Sequence, residues 1–318
     1  MASHHAFLIA TVTLFGILNT FRVAAKVLNQ SPAKESSNRC IYKFVVPASQ
    51  SPMESCVQTE ELAEKLERLA DDVYELKRML ISPPSSSNLN DGSRLLDCQD
   101  VYSAGLRSNG VYDIWPLTAP YPISAYCQFS RGTGWVVFQR RSDGSIDFFR
   151  DWIDYKDGFG DLSGEHWLGN DNLHYITQGN GRLYEMRIEL TDWGKGKASA
   201  LYSGVQVGGA TQKYELTLGA FMGGTAGDSM LHVSSIAIAH GQSFTCRDLD
   251  HDQAPDSNCA NDYEGAWWYN NCFKANLNGK YYNANEKHPK WHGILWTSWL
   301  GAEYSLKETV MKLRPLEI

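Results

Sequence analysis

Between Thr245 and Tyr282 the chain reads TCRDLDHDQAPDSNCANDYEGAWWYNNCFKANLNGKYY, which places four aspartates, Asp248, Asp250, Asp252 and Asp256, within nine positions. Alternating carboxylates in a short loop repel one another unless a cation lies between them. Asp, Asn, Ser and backbone carbonyls are hard oxygen donors, so the loop is expected to hold Ca2+ in preference to zinc or copper. The stretch is not an EF-hand. Counting from Asp248, the position that needs glycine is Gln253, and the position that needs a bidentate glutamate is Cys259. A merely solvated acidic loop is the alternative, and the neighbouring Cys259 and Cys272 weigh against it, because these aspartates do not sit in an open tail.

Taken in order, DxDxD, NCA, GAWWYNNC and NLNGKYY resemble the C-terminal half of a fibrinogen-related domain. Upstream, GWVVFQRRSDGSIDFFRDWIDYKDGFGDLSGEHWLGNDNLHYIT and GTAGDSM are similar to that family's central region, and YSLKETVMKLRP to its end. The resemblance runs from Leu96 to Pro315. It implies an α+β fold with a small disulfide-linked N-terminal part, a central antiparallel sheet with short helices, and a loop-rich calcium subdomain. It implies bonds between Cys98 and Cys127 and between Cys259 and Cys272. Asp250 and Asp252 match the family's side-chain calcium ligands, and Pro255 and Ser257 its backbone-carbonyl ligands. The loop is one residue longer than in many members, a length shared by tenascin-like ones. Asp248 and Asp256 fall outside that ligand set.

Beside the calcium loop, lectin-like members of the family keep a pocket for an acetyl group. Tyr263 matches its tyrosine, and Asn271-Cys272 the pair joined there by a cis peptide bond. Phe273 stands where several members have histidine. Lys290-Trp291-His292 stands where fibrin-binding and acetyl-binding members carry a tyrosine and an aspartate. These changes weigh against a carboxylate-lined pocket for fibrin knobs. They leave an aromatic, less acidic pocket built from Tyr263, Asn271, Cys272, Phe273, Lys290 and Trp291, with ordinary packing of the three rings as the alternative. Cys246, just before the loop, is expected to be a buried free thiol.

The N-terminal part has a different character. Residues 6–18 are apolar but too short to span a bilayer, and they lead to Val23-Ala24-Ala25, so residues 1–25 are expected to be a signal peptide. No later segment is apolar enough to span a membrane, and seven cysteines suit a secreted, extracellular chain in an oxidising compartment. Residues 26–59 form a polar arm that carries Cys40, Cys56 and one glycosylation sequon at Asn29. Leu62, Leu66, Leu69, Val73, Leu76 and Leu80 alternate at spacings of four and three, so residues 60–81 are expected to form a short coiled coil that makes a homo-oligomer. Cys40 and Cys56 are candidate interchain bonds that would support so short a seam. A single amphipathic helix docked on the globular domain is the other reading. Pro83-Pro84-Ser85 opens a linker over residues 82–95, and residues 96–318 form the globular domain.

Within that domain Ile123–Phe129, with Cys127 near its end, Trp135–Gln139, Tyr184–Leu190 and Lys213–Leu218 read as strands, and Cys98 as part of a helical turn. Phe159–Leu173 reads as loop and short helix. The formal charge is −7 and there is no run of Lys or Arg, so nucleic acid is not an expected partner. No GxSxG, HExxH, GxxxxGK[ST] or CxxC motif is present, and His166, His174 and His232 have only structural readings, so an enzyme is not expected. His288 and His292 lie near the proposed pocket in sequence. The first functional expectation is a secreted, multivalent recognition protein for acetylated or related glycans and glycoproteins, similar to ficolin-like members. The alternatives are a ligand of a cell-surface receptor, resembling angiopoietin-like or fibrinogen-like factors, and a matrix component resembling tenascins or microfibril-associated glycoproteins.

Overall fold

The computed structural model describes residues 94–178, 181–231 and 237–316. The expected signal peptide, the arm with Asn29, Cys40 and Cys56, the coiled coil, nearly all of the linker, and His232 lie outside the described residues.

One antiparallel sheet organises the domain, and its strands come from both ends of the described chain. β1 (Gly110–Ile114), β2 (Ile123–Ser130) and β3 (Thr133–Arg141) form a meander, and β6 (Tyr184–Thr191) and β7 (Lys197–Val207) a hairpin. β12 (Glu308–Pro315) enters between the two groups and pairs with β3 on one side and β6 on the other. The resulting order is β1-β2-β3-β12-β6-β7-β8, where β8 is Leu216–Thr217; β9 (Ala220–Gly223) also pairs with β7, β5 (His166–Trp167) pairs with β3, and β4 (Phe159–Gly160) pairs with β5. The central strands contribute Val136, Phe138, Met186, Ile188, Met311 and Leu313, each at most 2 % exposed. A strand buried on a face in this way has its register fixed, since a one-residue slip would turn those side chains outward.

Short helices close the buried face. α1 (Cys98–Ser103) is capped by Asp97, whose Oδ1 accepts from Gln99 N at 2.9 Å. The Cys98–Cys127 disulfide ties α1 to the middle of β2, not to the strand's end as its sequence suggested. Gly134 on β3 makes this approach sterically workable, because a Cβ there would stand 1.9 Å from the Cys98 carbonyl oxygen. α2 (Trp152–Asp157) and α3 (Asn170–Gln178) flank β4 and β5, so the expected loop and short helix over 159–173 include the start of α3 and, in addition, two short strands. The strand expected over Lys213–Leu218 shrinks to β8, because Lys213 and Tyr214 take left-handed backbone angles that no strand continues through.

An aromatic core joins this sheet to the loop-rich region after β9. Tyr155 and Trp167 pack with Phe244 at centroid distances of 5.1 and 5.8 Å, and Phe244 meets Trp268 edge-on at 5.3 Å. Each such pair contributes about 0.5–1.5 kcal/mol beyond the area it buries. Trp267, Trp268 and Tyr269 are therefore core residues, at most 1 % exposed. A buried polar clamp supplements them. Arg141 donates to the carbonyls of Leu277 and Gly279 at 3.3 and 2.7 Å, and its charge is balanced by Glu165 at 3.7 Å.

Candidate functional site

The acidic loop hangs from that core by backbone pairing. Thr245 and Trp267 exchange both hydrogen bonds, at 2.9 and 3.1 Å, and Gln253 N donates to Asn270 O at 3.0 Å. Asp248 is used structurally: its Oδ1 accepts from Trp152 N at 2.8 Å and from the Cys246 thiol at 3.1 Å. Cys246 is free and buried. Burial, and after it the Asp248 carboxylate, push its thiol well above the ordinary range, so it is an inert proton donor.

Asp250 and Asp252 lie side by side. Asp250 Oδ1 accepts from Asp252 N at 3.0 Å, while Asp252 accepts from Ala254 N through Oδ1 and from Cys259 N through Oδ2, each at 2.8 Å. Asp250 is exposed and Asp252 half-buried. Burial first, and the adjacent Asp250 carboxylate as well, push the Asp252 carboxyl up to about 6 against the two backbone bonds that lower it. A half-buried carboxylate that ionises reluctantly, beside a second carboxylate, offers oxygen ligands that a hard cation would favour. Among the described residues no group of three or more His, Cys, Asp or Glu side chains converges on one point. Any ion here would take its remaining ligands from backbone carbonyls and water, which suits the exposed Pro255 and Ser257 and excludes a closed zinc site. Asp256 is exposed and stands apart from this pair's hydrogen bonds.

Immediately after the loop, Asn258 caps α4 (Cys259–Asp262), accepting from Ala260 N at 2.7 Å. Cys259 is bonded to Cys272, so α4 and the segment holding Asn271 move as one piece. The Asn271–Cys272 peptide is cis. β10 (Ala275–Asn276) pairs with β11 (Leu295–Trp296) and brings residues 271–276 beside 291–296. Phe273 thereby becomes the centre of an aromatic cluster, 4.9 Å from Tyr263, 5.9 Å from Trp291 and 5.6 Å from Tyr269. His292 covers Tyr263 at 5.5 Å, and the Lys274 ammonium lies 5.0 Å from the Trp291 ring. Trp291 holds a positive φ of 68°, a conformation that bulky residues rarely take.

Phe273 is buried, whereas Tyr263, Trp291 and His292 are partly exposed. Burial, and then the Asp262 carboxylate, push the Tyr263 phenol up, so its hydroxyl stays a donor at neutral pH. Among the described residues that hydroxyl has no hydrogen-bond partner. Lys290 departs from the expectation: it is exposed and paired with Glu303 at 3.2 Å, outside the aromatic cluster. The backbone angle at Trp291 separates the two neighbours, with the ring on Phe273 and the Lys290 head on Glu303. His288 is also set apart, stacked on Tyr282 at 5.0 Å. Sequence reasoning missed Lys274 and placed His288 and His292 together; only the β10–β11 pairing distinguishes them.

Two cavities, of about 570 and 540 Å³, lie on the outer face of the sheet and share no lining residue with the aromatic cluster. No helix among the described residues is long and apolar enough to cross a membrane.

Residues 95–316 match the family profile described as the C-terminal globular domain of fibrinogen beta and gamma chains. The chain is 43 % identical over 232 residues to Fibrinogen C domain-containing protein 1 of Xenopus tropicalis, covering 71 % of this chain and 48 % of that one. It is 41 % identical over 236 residues to Fibrinogen-like protein 1 of Homo sapiens, covering 72 % of this chain and 74 % of that one. The chain thus spans about half the length of the first of these relatives and three quarters of the second. Among solved structures it is similar to the fibrinogen-like globe domain of human ANGPTL2, with a TM-score of 0.64 at 35 % identity, covering 69 % of this chain and 98 % of that one. It is also similar to a lamprey fibrin D-dimer complexed with the peptide Gly-His-Arg-Pro-amide, with a TM-score of 0.65 at 32 % identity, covering 83 % of this chain and 91 % of that one.

Proposed function

The chain belongs to the fibrinogen C-terminal domain family, and from that premise we propose that it is a secreted, calcium-binding recognition protein whose aromatic cluster binds an acetylated glycan or glycoprotein. The observation that carries this reading is the Tyr263 hydroxyl: a donor without a partner, held at the edge of a wall made by Phe273 and Trp291. An acetyl group suits that arrangement. Its methyl would lie on the rings and its carbonyl oxygen would accept from the hydroxyl. Asp250 and Asp252, with the carbonyls of Pro255 and Ser257, would hold the calcium ion. The ion orders the loop, and through the Cys259–Cys272 bond the loop supports the wall. Self-association through residues 60–81 would multiply weak single sites by effective concentration.

The test is ligand affinity and calcium affinity measured on the same variants, with N-acetylglucosamine and an acetylated protein as ligands. Tyr263→Phe keeps the ring and loses one hydroxyl, so affinity should fall by about 0.5–1.5 kcal/mol while calcium affinity holds. Equal loss of both would make Tyr263 structural, and unchanged ligand affinity would move the site elsewhere.

A second reading, a receptor ligand, is favoured by a different observation. The relative covered over three quarters of its length is a fibrinogen-like protein, and the similar solved globe is an angiopoietin-like one. Phe273 and Trp291 are also of the aromatic type that anchors protein interfaces. Binding to cells that persists with excess acetylated sugar would select this reading.

A further inference from the structure

The two cavities on the sheet share Arg131, Arg187 and Glu189, so they are halves of one trough. Its floor follows β12 from Glu308 to Arg314, six residue steps, or about 20 Å of strand. The lining cations are Arg131, Arg187, Lys195, Lys197, Lys312 and Arg314. Only Glu185, Glu189 and Glu308 oppose them there, in a chain whose formal charge is −7. Positive charge is therefore gathered on this face against the balance of the molecule.

Three details show that the excess is built in. Glu189 Oε1 is shared between two cations, Lys312 at 2.7 Å and Arg187 at 3.2 Å. Burial, followed among the lowering causes by Arg187 and Arg314, pushes the Lys312 ammonium down, despite the opposing pull of Glu189. Both hairpin tips over the trough carry a cation where glycine or asparagine would cost less. Arg131 in the β2–β3 turn has φ 50°, and Lys195 in the β6–β7 turn has φ 71°. Lys195 and Lys197 are exposed, and among the described residues neither pairs with a carboxylate. At the floor, Thr133 is 1 % exposed and its Oγ1 has no hydrogen-bond partner. Trp135 beside it is covered by Lys312 and Arg314, 5.3 and 4.5 Å from its ring, which leaves no open stacking surface of the kind single-stranded nucleic acids use.

We propose that this trough binds a sulfated polysaccharide lengthwise, with the exposed hairpin cations Arg131, Lys195 and Lys197 meeting successive sulfates and the Lys312–Arg314 row, already paired with Glu189 and Glu185, adding positive field from the floor. Its length and charge match an extended chain of fixed anions, and two disulfides place the domain where such polymers occur. The site is separate from the acetyl-binding reading and does not depend on it.

The experiment measures binding of the full chain to a heparin-derived octasaccharide at several salt concentrations, with a desulfated octasaccharide as control. Lys195→Gly combined with Lys197→Ser should weaken binding about ten-fold and lower the slope of log affinity against log salt by about 2, one for each lysine. The melting temperature should hold or rise, because glycine adopts the left-handed conformation freely. Arg131→Asn should weaken binding in the same direction, since asparagine tolerates that conformation. Chelator and Tyr263→Ala should leave affinity for the octasaccharide unchanged, which separates failure here from failure at the aromatic cluster. Equal affinity for the desulfated octasaccharide, unchanged affinity in the lysine variant, or no binding by the full chain would each overturn the proposal.

Discussion

Replacing Asp250 by asparagine should make the domain more stable without calcium and less stable with it. The amide oxygen can still accept from Asp252 N, as Asp250 Oδ1 does at 3.0 Å, so the loop geometry is kept. What disappears is one of two neighbouring negative charges. Two unit charges about 4 Å apart repel by roughly 1 kcal/mol in water, and solvent around the half-exposed pair keeps the value at that lower end. The ion-free variant should therefore gain about 0.5–1 kcal/mol, or about 1–4 °C in melting temperature for a domain of this size. In the wild type, calcium at a hundred-fold excess over Kd should add about 2.7 kcal/mol, or about 5–11 °C, and the variant should lose most of it. The sign of the pH dependence follows from Asp252. Its carboxyl ionises near 6 in the folded chain against an ordinary 3.8, so the folded state holds the extra proton between those values. Ion-free stability should fall as pH rises through that window and then level, more steeply in wild type than in the variant. Calcium stabilisation should run the other way and fade as pH drops through about 6. Scanning calorimetry with chelator and with calcium, at pH 4.5 and 7.5, measures all four arms. An ion-free variant that melts lower than wild type, or one that keeps the calcium increment, would refute the reasoning.

Two further perturbations probe the scaffold. Gly134→Ala would force a Cβ to within 1.9 Å of the Cys98 carbonyl, a backbone atom held by a disulfide; we expect a loss of about 3 kcal/mol or more, and a melting temperature within 2 °C of wild type would contradict the packing described. The Cys246 thiol, buried and pushed up, should resist iodoacetamide at pH 8 until the domain unfolds, and modification of the folded protein within minutes would disprove its enclosure.

Local chemistry made some of this legible in the sequence. β3 and β6 announce themselves because Val136, Val137, Phe138, Met186 and Ile188 are β-formers with few glycines among them. β7 gives no such signal: KASALYSGVQV mixes small residues with a glycine, and its burial comes from β6 and β9 on either side. β12 is disguised by Lys312, a lysine in a central strand that is tolerable only because Glu189 and Gln128, far away in sequence, meet its ammonium. The Asp250–Asp252 pair was visible because both carboxylates sit in one short loop. Lys290 was misplaced and Lys274 missed because the cluster depends on β10 meeting β11, a pairing of two residues each. The trough lay out of reach, since its cations are scattered from residue 131 to residue 314 and only the strand order brings them to one face.

The position of β12 also governs how the domain is made. The strand contributed last to the sheet is the one that joins its two halves, so β3 and β6 stand as open edges until residue 315 has been synthesised. During synthesis, the nascent chain carries two hydrogen-bonding edges that invite pairing with neighbouring chains. A translation product ending before Glu308 would keep them permanently. Cellular quality control should catch such a product even though every cysteine and every candidate ligand-binding residue in it is intact.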